Sequence, residues 1–242
     1  MTQMKRKPIL WMAGDSTMQS YGEEKRPQWG WGECLLEKLE KKLTGYVPDI
    51  TAYHREDCPF DQEKRYIGHF FELDNCAMAG RSSKTFREEG RLADIEKHIQ
   101  PGDYLLIQFG HNDAGKGKPE RYVPLEEFRA SLATYVEVAF SHDAKPVLLS
   151  AIVLCSGPET DSGEAFEIKQ LLPAYGAKMQ KYAEELGIPF IDMNQLTGEF
   201  IKKMTGKEAE ALYLPDHVHL VLSGAESYAE LAAEKLYSCV GN

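Results

Sequence analysis

Four short polar stretches contain residues that together can cleave an ester. Ser16 ends the tripeptide GDS after an apolar run, and His219 ends the segment DHVH near the end of the sequence. A serine hydroxyl becomes a strong nucleophile when a histidine takes its proton and a carboxylate orients that histidine. We therefore predict that Ser16 is the nucleophile, His219 the base and Asp216 the orienting acid. Asp15 is an alternative acid, but it adjoins the nucleophile and not the base.

The two polar stretches between them offer donors for the oxyanion that forms when a hydroxyl attacks an ester. Gly80 follows a second apolar run, and Asn112 lies in the sequence FGHND after a third. A glycine lets its backbone approach a substrate closely. We predict an oxyanion hole made by the backbone amides of Ser16 and Gly80 and the side-chain amide of Asn112. His111 is predicted to support the loop that carries Asn112.

The polar stretches follow short apolar runs that alternate with amphipathic segments, which is typical of a parallel α/β fold. Because sites form at the carboxyl ends of parallel strands, we expect the polar stretches to meet at one edge of a sheet. Two charged stretches, Thr51–Gly68 and Cys155–Ile168, are predicted to be irregular surface insertions. The strands are predicted at Ile9–Ala13, Phe70–Asn75, Tyr104–Phe109, Pro146–Ile152 and Pro189–Asp192, and the helices at Trp31–Lys42, Leu125–Phe140, Tyr175–Leu186 and Ser223–Tyr237.

The composition favours a globular protein and argues against several other classes. The chain has 242 residues, 43% of them hydrophobic, so residues 1–242 are predicted to form one domain. A net charge of −10 disfavours a nucleic-acid partner, and no apolar run has the length of a membrane span or a secretory signal. The five cysteines contain no CxxC pair, so we expect a cytoplasmic protein without a disulfide framework or zinc site. The oligomeric state stays open.

Ser16, Gly80, Asn112 and His219, in this order, resemble the four blocks of the SGNH, or GDSL-type, hydrolases. Longer stretches resemble one branch, the rhamnogalacturonan acetylesterases: GDSTM, NCAMAGRSSKTFREEGRL, QFGHNDAGKG and PDHVHLVLSGA. The resemblance spans essentially the whole chain. It implies a three-layer α/β/α sandwich with a flavodoxin-like, parallel five-stranded sheet, and neither a metal nor another cofactor. It also implies an acetylated oligosaccharide as substrate, typically one with acetylated galacturonic acid.

Two features depart from the family. Leu220, Val221 and Leu222 follow the last histidine, where the family often has threonine and proline, and this change can alter the pocket wall beside the base. The segment Thr51–Gly68 is longer than a minimal member needs, and it is a candidate substrate-side loop or lid.

Several functions fit these residues. The first is a serine esterase that deacetylates pectin-derived oligosaccharides. The same triad can serve another acetylated sugar, such as xylo-oligosaccharides, or a lysophospholipase or thioesterase, although no apolar tract demands a groove for a long acyl chain. A non-catalytic sugar-binding protein is the third class, and an intact set of nucleophile, base and acid argues against it.

Three residues are candidate substrate contacts. Arg81 directly follows Gly80, and its guanidinium can hold a galacturonate carboxylate through two hydrogen bonds. Trp29, like Trp31, can stack on a sugar face, although aromatic residues near the start of a helix more often belong to the core. His217 is expected to pack or to contact substrate. A metal shared by His217 and the catalytic histidine lacks a third cluster of ligands in the sequence.

Overall fold

The computed structural model describes residues 6–47, 49–157 and 160–240. Within these residues, seven strands form one sheet and eight α-helices pack around it. The strands are β1 (Ile9–Gly14), β2 (Thr51–Tyr53), β3 (Lys64–Ile67), β4 (Glu72–Asn75), β5 (Tyr104–Gln108), β6 (Lys145–Leu149) and β7 (Phe190–Ile191). The helices are α1 (Trp31–Thr44), α2 (Ser83–Glu88), α3 (Arg91–His98), α4 (Leu125–Ser141), α5 (Gly163–Leu186), α6 (Met193–Ile201), α7 (Gly206–Glu210) and α8 (Leu222–Val240).

Five of the strands are parallel and follow the predicted topology. The sheet order is β2-β3-β4-β1-β5-β6-β7, and every pair from β4 to β7 is parallel. Counted along the chain, the parallel strands have the order 2-1-3-4-5, which is the flavodoxin-like arrangement. The α/β class and the five predicted strands are therefore confirmed, with strand ends that differ by a few residues. One sheet is what a single domain requires, and the single-domain interpretation stays a prediction.

The sheet has two strands more than predicted, because Thr51–Gly68 contains a hairpin. β2 pairs antiparallel with β3, and β3 pairs antiparallel with β4 at the edge of the sheet. All three residues of β2 are exposed. An exposed edge strand needs no apolar run, so the periodicity that reveals central strands is absent here.

The hairpin is fixed by a buried charge cluster. Arg55 is 4% exposed and forms ion pairs with Glu63, with Asp74 of β4 and with Asp94 of α3. Burial and the nearby Asp74 carboxylate raise the pKa of Glu63 to about 7. Because charged residues are usually exposed, the sequence suggested a surface insertion where the structure has a buried ionic anchor.

The second predicted insertion, Cys155–Ile168, is also partly wrong. Its last part belongs to α5, which begins at Gly163 and runs for 24 residues through Pro173. The sequence predicted only the half that follows this proline, because proline usually interrupts a helix. Helices α2, α3, α6 and α7 were not predicted, and each has fewer than ten residues.

Each face of the sheet has its own core. Along β1, Leu10 and Met12 pack into one cluster with α1 and α8, whereas Ile9, Trp11 and Ala13 pack into another with α3, α4 and α5. This alternation follows from the two-residue period of a strand. No helix in the described ranges is both long and apolar enough to cross a membrane.

Candidate active site

Three of the predicted residues form a hydrogen-bonded chain. The Ser16 hydroxyl donates to Nε2 of His219 over 2.9 Å, and Nδ1 of His219 donates to the Asp216 carboxylate over 2.6 Å. The second oxygen of Asp216 accepts from the backbone amides of Val218 and His219, each at 2.9 Å. The carboxylate is thus held in one orientation toward the imidazole.

The environment of Asp216 keeps its carboxylate ionised. Partial burial favours the neutral acid, but the hydrogen bonds from His219 and the backbone outweigh it and lower the pKa of Asp216 to about 2. A charged Asp216 holds a proton on Nδ1 of His219, which leaves Nε2 free to accept the proton of Ser16. This is the protonation state that a general base requires.

Ser16 and His219 come from opposite ends of the chain, and hydrogen bonds to backbone carbonyls fix the segments around them. Ser16 follows β1, and its carbonyl accepts a hydrogen bond from the Tyr21 hydroxyl at 2.7 Å. The His219 carbonyl accepts from the backbone of Leu214 at 2.7 Å. The next residue, Leu220, is fully buried in the core, and its carbonyl accepts from the Trp29 backbone at 2.9 Å. Leu220 therefore fixes the position of the neighbouring His219 by packing in the core. Its side chain does not line the cavity that contains His219.

The three predicted oxyanion donors face the same cleft. Ser16, Gly80 and Asn112 line a cavity of about 450 Å³ together with His219. Gly80 has φ = +76°, which favours glycine at this position. The Asn112 amide donates to the Arg81 carbonyl at 2.9 Å, and this bond fixes its orientation while leaving one N–H available. The other lining residues are Ala79, His111, Lys118, Arg121, Leu154, Ala165, Ile168 and Val218.

Asp15, the alternative acid, is engaged elsewhere. Its carboxylate accepts from the backbone and hydroxyl of Thr17, both at 2.9 Å, and from Nδ1 of His111 at 3.1 Å. Nε2 of His111 donates to the Ile152 carbonyl at 2.9 Å. Burial alone raises the pKa of Asp15, but the charge of His111 lowers it below its ordinary value. Burial alone lowers the pKa of His111, but Asp15 raises it above its ordinary value. The two residues form a buried ion pair beside the cleft.

Asp113 ties the loop of Asn112 to helix α2. One carboxylate oxygen accepts from the backbone and the hydroxyl of Ser83, and the other accepts from the Gly110 amide at 3.1 Å. Burial is the main cause that raises the pKa of Asp113 to about 7. The Asn112 loop is therefore fixed at Asp113, the residue that directly follows the oxyanion donor.

The structure does not bring the Arg81 guanidinium into the cleft. It pairs with the Glu89 carboxylate at 2.8 Å and donates to the Ala79 carbonyl at 2.7 Å. A substrate contact of Arg81 stays a prediction, which this geometry does not support, because Glu89, eight residues further along, pairs with the side chain. The backbone of Arg81 lies next to Gly80, as its place in the sequence requires, but the guanidinium does not line the cleft.

The tryptophans also lie away from the cleft-lining residues. Trp31 is fully buried, and its indole donates to the Gln108 side chain at 3.0 Å. Trp29 packs against the core, and the Arg26 guanidinium lies 3.2 Å from the centre of its ring. Neither ring offers a free face in the cleft, so the expected sugar stacking by Trp29 is not supported by its position.

His217 faces a different surface from His219. Its φ of +57° turns the chain, and its ring lies so close to Gly157 that a Cβ there would come within 2.3 Å of it. The ring lines a second, open cavity with Lys207 and Tyr213. Over the described residues, no group of three or more His, Cys, Asp or Glu side chains is arranged to hold a metal ion. The position of the ring against Gly157 agrees with the expected packing of His217, and its contact with substrate stays a prediction.

Two cations in the cleft were missed by the sequence analysis. Lys118 and Arg121 lie between β5 and α4, in the segment GKGKPERY that follows Asn112. This loop follows the carboxyl end of β5, where sites form in parallel sheets, so its residues could also have been expected near the site. In the sequence, the signal for these cations was the three basic residues of this segment, which lies shortly after Asn112, a predicted oxyanion donor.

Comparison with known proteins agrees with this geometry. Residues 12–226 match the model of the GDSL-like lipase/acylhydrolase family. The chain belongs to this family. Membership confirms the interpretation of the four sequence blocks and the expectation of a carboxylic ester hydrolase.

The relatives of this acylhydrolase include proteins named for sugar esters. A probable rhamnogalacturonan acetylesterase of Bacillus subtilis strain 168 is 31% identical over 234 residues, which are 93% of this chain and 90% of the relative. A rhamnogalacturonan acetylesterase of the same organism is 28% identical over 246 residues, covering 96% of this chain and 90% of the relative.

Solved structures share the fold of this acylhydrolase. The crystal structure of the Bacillus subtilis protein YxiM superposes with a TM-score of 0.71 at 24% identity, over 97% of this chain but only 57% of that one. An acetylxylan esterase from Geobacillus stearothermophilus has a TM-score of 0.64 at 15% identity, over 97% of this chain and 94% of that one. At these identities the likeness concerns the fold alone.

Proposed function

We propose that this acylhydrolase is a serine esterase that removes acetyl groups from pectin-derived, rhamnogalacturonan-type oligosaccharides. The observation that carries the esterase mechanism is the hydrogen-bonded chain from Asp216 through His219 to Ser16. The sugar is supported by the names of the relatives at 31% and 28% identity, each matched over nine-tenths of its length.

The reaction begins with attack on the acetyl carbonyl. The Ser16 oxygen forms a bond to the carbonyl carbon while Nε2 of His219 takes the serine proton. The negative charge moves to the carbonyl oxygen, which accepts hydrogen bonds from the backbone amides of Ser16 and Gly80 and from the free N–H of Asn112. Asp216 stays ionised and stabilises the imidazolium.

Collapse of this intermediate breaks the bond to the sugar. His219 returns the proton to the departing sugar oxygen, and the acetyl group remains on Ser16. Water then attacks the acetyl-enzyme, with His219 as base once more, and acetate leaves as the proton returns to Ser16. Leu154, Ile168 and Val218 give the cleft apolar surface that suits the acetyl methyl group.

The reaction is assigned to the cytoplasm. All five cysteines lie in the described residues and carry free thiols. Unpaired thiols, three of them buried, are usual in a reducing compartment. The substrates are then short imported fragments and not the intact polymer.

Acetate release from a panel of esters tests this proposal. The panel holds acetylated rhamnogalacturonan oligosaccharides, acetylated xylo-oligosaccharides, a lysophospholipid and an acyl-CoA. We expect release from the pectic fragments, a loss of about 10⁴-fold or more in Ser16→Ala, and unchanged rates in the control Ser227→Ala. Ser227 is half-buried on α8, and its hydroxyl donates to the Ser223 carbonyl of the same helix at 2.7 Å. Preference for the xylo-oligosaccharides or the lipid would overturn the sugar, and full activity of Ser16→Ala would overturn the mechanism.

A further inference from the structure

Most arginines of this chain are neutralised by carboxylates, and the exceptions lie together. The sequence has nine arginines, and all of them lie in the described residues. Seven form ion pairs there: Arg6, Arg26, Arg55, Arg65, Arg81, Arg91 and Arg129. Arg87 and Arg121 form none within the described ranges. Among the arginines of the described residues, these two are therefore the exceptions.

Arg121 is the more unusual of the two, because it lines the catalytic cleft. Its Nε atom is buried and has no hydrogen-bond partner among the described residues. The guanidinium also lies against the oxyanion-hole glycine: a Cβ on Gly80 would be 3.6 Å from Nη1 of Arg121. Lys118, on the same loop, is a second cation of the cleft, and no ion pair joins it to a described residue.

Arg87 lies in a second groove, which is lined by the residue that follows Arg121. This groove, of about 370 Å³, is lined by Lys84 and Arg87 of α2, by Tyr122, and by residues of α4 that include Glu127. Arg121 lines the cleft and the next residue, Tyr122, lines the groove, so the two cavities adjoin at this point. Cleft and groove together present four cations and one carboxylate.

We infer that these cations bind the carboxylates of an acidic oligosaccharide, with Arg121 and Lys118 at the sugar unit beside the acetyl ester and Lys84 and Arg87 at a further acidic unit. We call this surface the cationic groove. The inference rests on the proposed function and assigns residues that select its substrate. A planar guanidinium matches a carboxylate with two parallel hydrogen bonds, and the Arg121 guanidinium lines the cleft without a carboxylate partner among the described residues.

The position of the cationic groove also answers a problem of charge. A net charge of −10 repels a polyanion in solution, with a range of about 8–10 Å at ordinary salt. The two cations of the cleft and the two of the groove offset this repulsion locally. A neutral acetylated sugar gains nothing from them.

The test compares two oligosaccharides of equal length and acetyl content, one with uronic acids and one with neutral hexoses in their place. For Arg121→Gln we expect kcat/KM on the acidic sugar to fall about 10- to 100-fold, mainly through KM, because a bond made in both ground and transition states is lost. The neutral sugar and 4-nitrophenyl acetate should change less than about threefold. Arg87→Gln should show a smaller loss with the same selectivity.

Lys97→Gln is the matched control for removal of one positive charge. Lys97 is exposed on α3 beside His98, which lines a cavity with Ile9, the first residue of β1. Because Ser16 follows the other end of β1, this control lies at the opposite edge of the sheet. It should leave both substrates unchanged.

Binding to the inactive Ser16→Ala protein separates this inference from the proposed function. Calorimetry should give tighter binding of the acidic than of the neutral oligosaccharide, with a preference that shrinks with added salt and disappears in Ser16→Ala/Arg121→Gln. Equal affinity for the two sugars, or an equal loss of kcat/KM on both in Arg121→Gln, would overturn the cationic groove. Absence of acetate release from any sugar, with selective binding retained, would overturn the proposed reaction and leave the binding site supported.

Discussion

The buried pair Asp15–His111 permits a sharp test of how the cleft is built, through the variant Asp15→Asn. The asparagine carbonyl can keep both hydrogen bonds from Thr17, and its amide can donate to an unprotonated Nδ1 of His111. His111 then keeps its Nε2 proton for the Ile152 carbonyl. The substitution therefore removes one negative charge while every hydrogen bond retains a partner.

The expected cost is that of one charge-assisted hydrogen bond, about 2 kcal/mol in the free energy of unfolding. It depends on pH. The pKa of Asp15 is lowered, so its contribution is present above about pH 4 and is lost as pH falls through the lowered pKa. The pKa of His111 is raised, so its contribution is complete below about pH 6.5 and is lost as pH rises through the raised pKa. The difference between wild type and variant should be largest between about pH 4 and 6.5.

Two measurements check this. Urea denaturation at pH 5.5 and at a series of higher pH values gives the difference in unfolding free energy, which should decrease as His111 loses its proton. NMR titration of the His111 ring should give a pKa above 6.5 in wild type and below 6.5 in Asp15→Asn, since burial alone lowers it. A wild-type pKa below 6.5, or a stability difference that grows with pH, would refute the ion pair. Esterase activity of Asp15→Asn should stay within about tenfold of wild type, because Asp15 does not contact the proposed base.

Three further results are expected. Asp216→Asn should lower kcat by about 10⁴-fold with little change in melting temperature, because it removes the acceptor that fixes the His219 tautomer, and steady-state kinetics will test it. Gly80→Ala should lower the free energy of unfolding by about 1 kcal/mol, because alanine is strained at the positive φ of this position. It should also shift the backbone amide, so that kcat falls and KM changes less. An unchanged kcat would argue against an oxyanion donor at this position. Trp31→Phe should lower the free energy of unfolding by about 1–3 kcal/mol, because the buried side-chain oxygen of Gln108 loses its hydrogen-bond donor. The KM for oligosaccharides should stay constant. A raised KM would favour a role of Trp31 in sugar binding.

The convergence of the candidate catalytic residues could be predicted because their positions depend on topology. In a parallel sheet all carboxyl ends face one edge, so Ser16 after β1, Gly80 after β4 and Asn112 after β5 had to converge. The order of the strands was not needed for this, only their direction. The proposed base comes from a loop outside the sheet, and it was found by its spacing from Asp216 and by the family resemblance.

The proposed substrate contacts could not be found from the sequence, because the positions of their side chains depend on partners distant in sequence. Arg81 has the right neighbour in Gly80, but Glu89 of the following turn holds its guanidinium. Arg121 follows Gly80 by 41 positions and reaches it only through the packing of the β5–α4 loop. Which arginine is paired and which is free is a property of the folded chain, and nothing in the local pattern distinguishes them.

The same reasoning explains why buried ionisable groups surround this cleft. An ester-cleaving site needs atoms from four loops placed within a few tenths of an ångström, and exposed loops are the least rigid part of a fold. Asp15–His111 joins the first and third loops, and Asp113 joins the third to α2 through Ser83. A buried charge adds little to the stability of a fold, because its desolvation offsets the bonds that it makes. Breaking one of these bonds is nevertheless costly, so the loops are held in one arrangement. The polar residues next to Ser16 and Asn112 in sequence are therefore best understood as the rigid support of the site, and Arg121, which pairs with no described carboxylate, as its proposed contact for substrate.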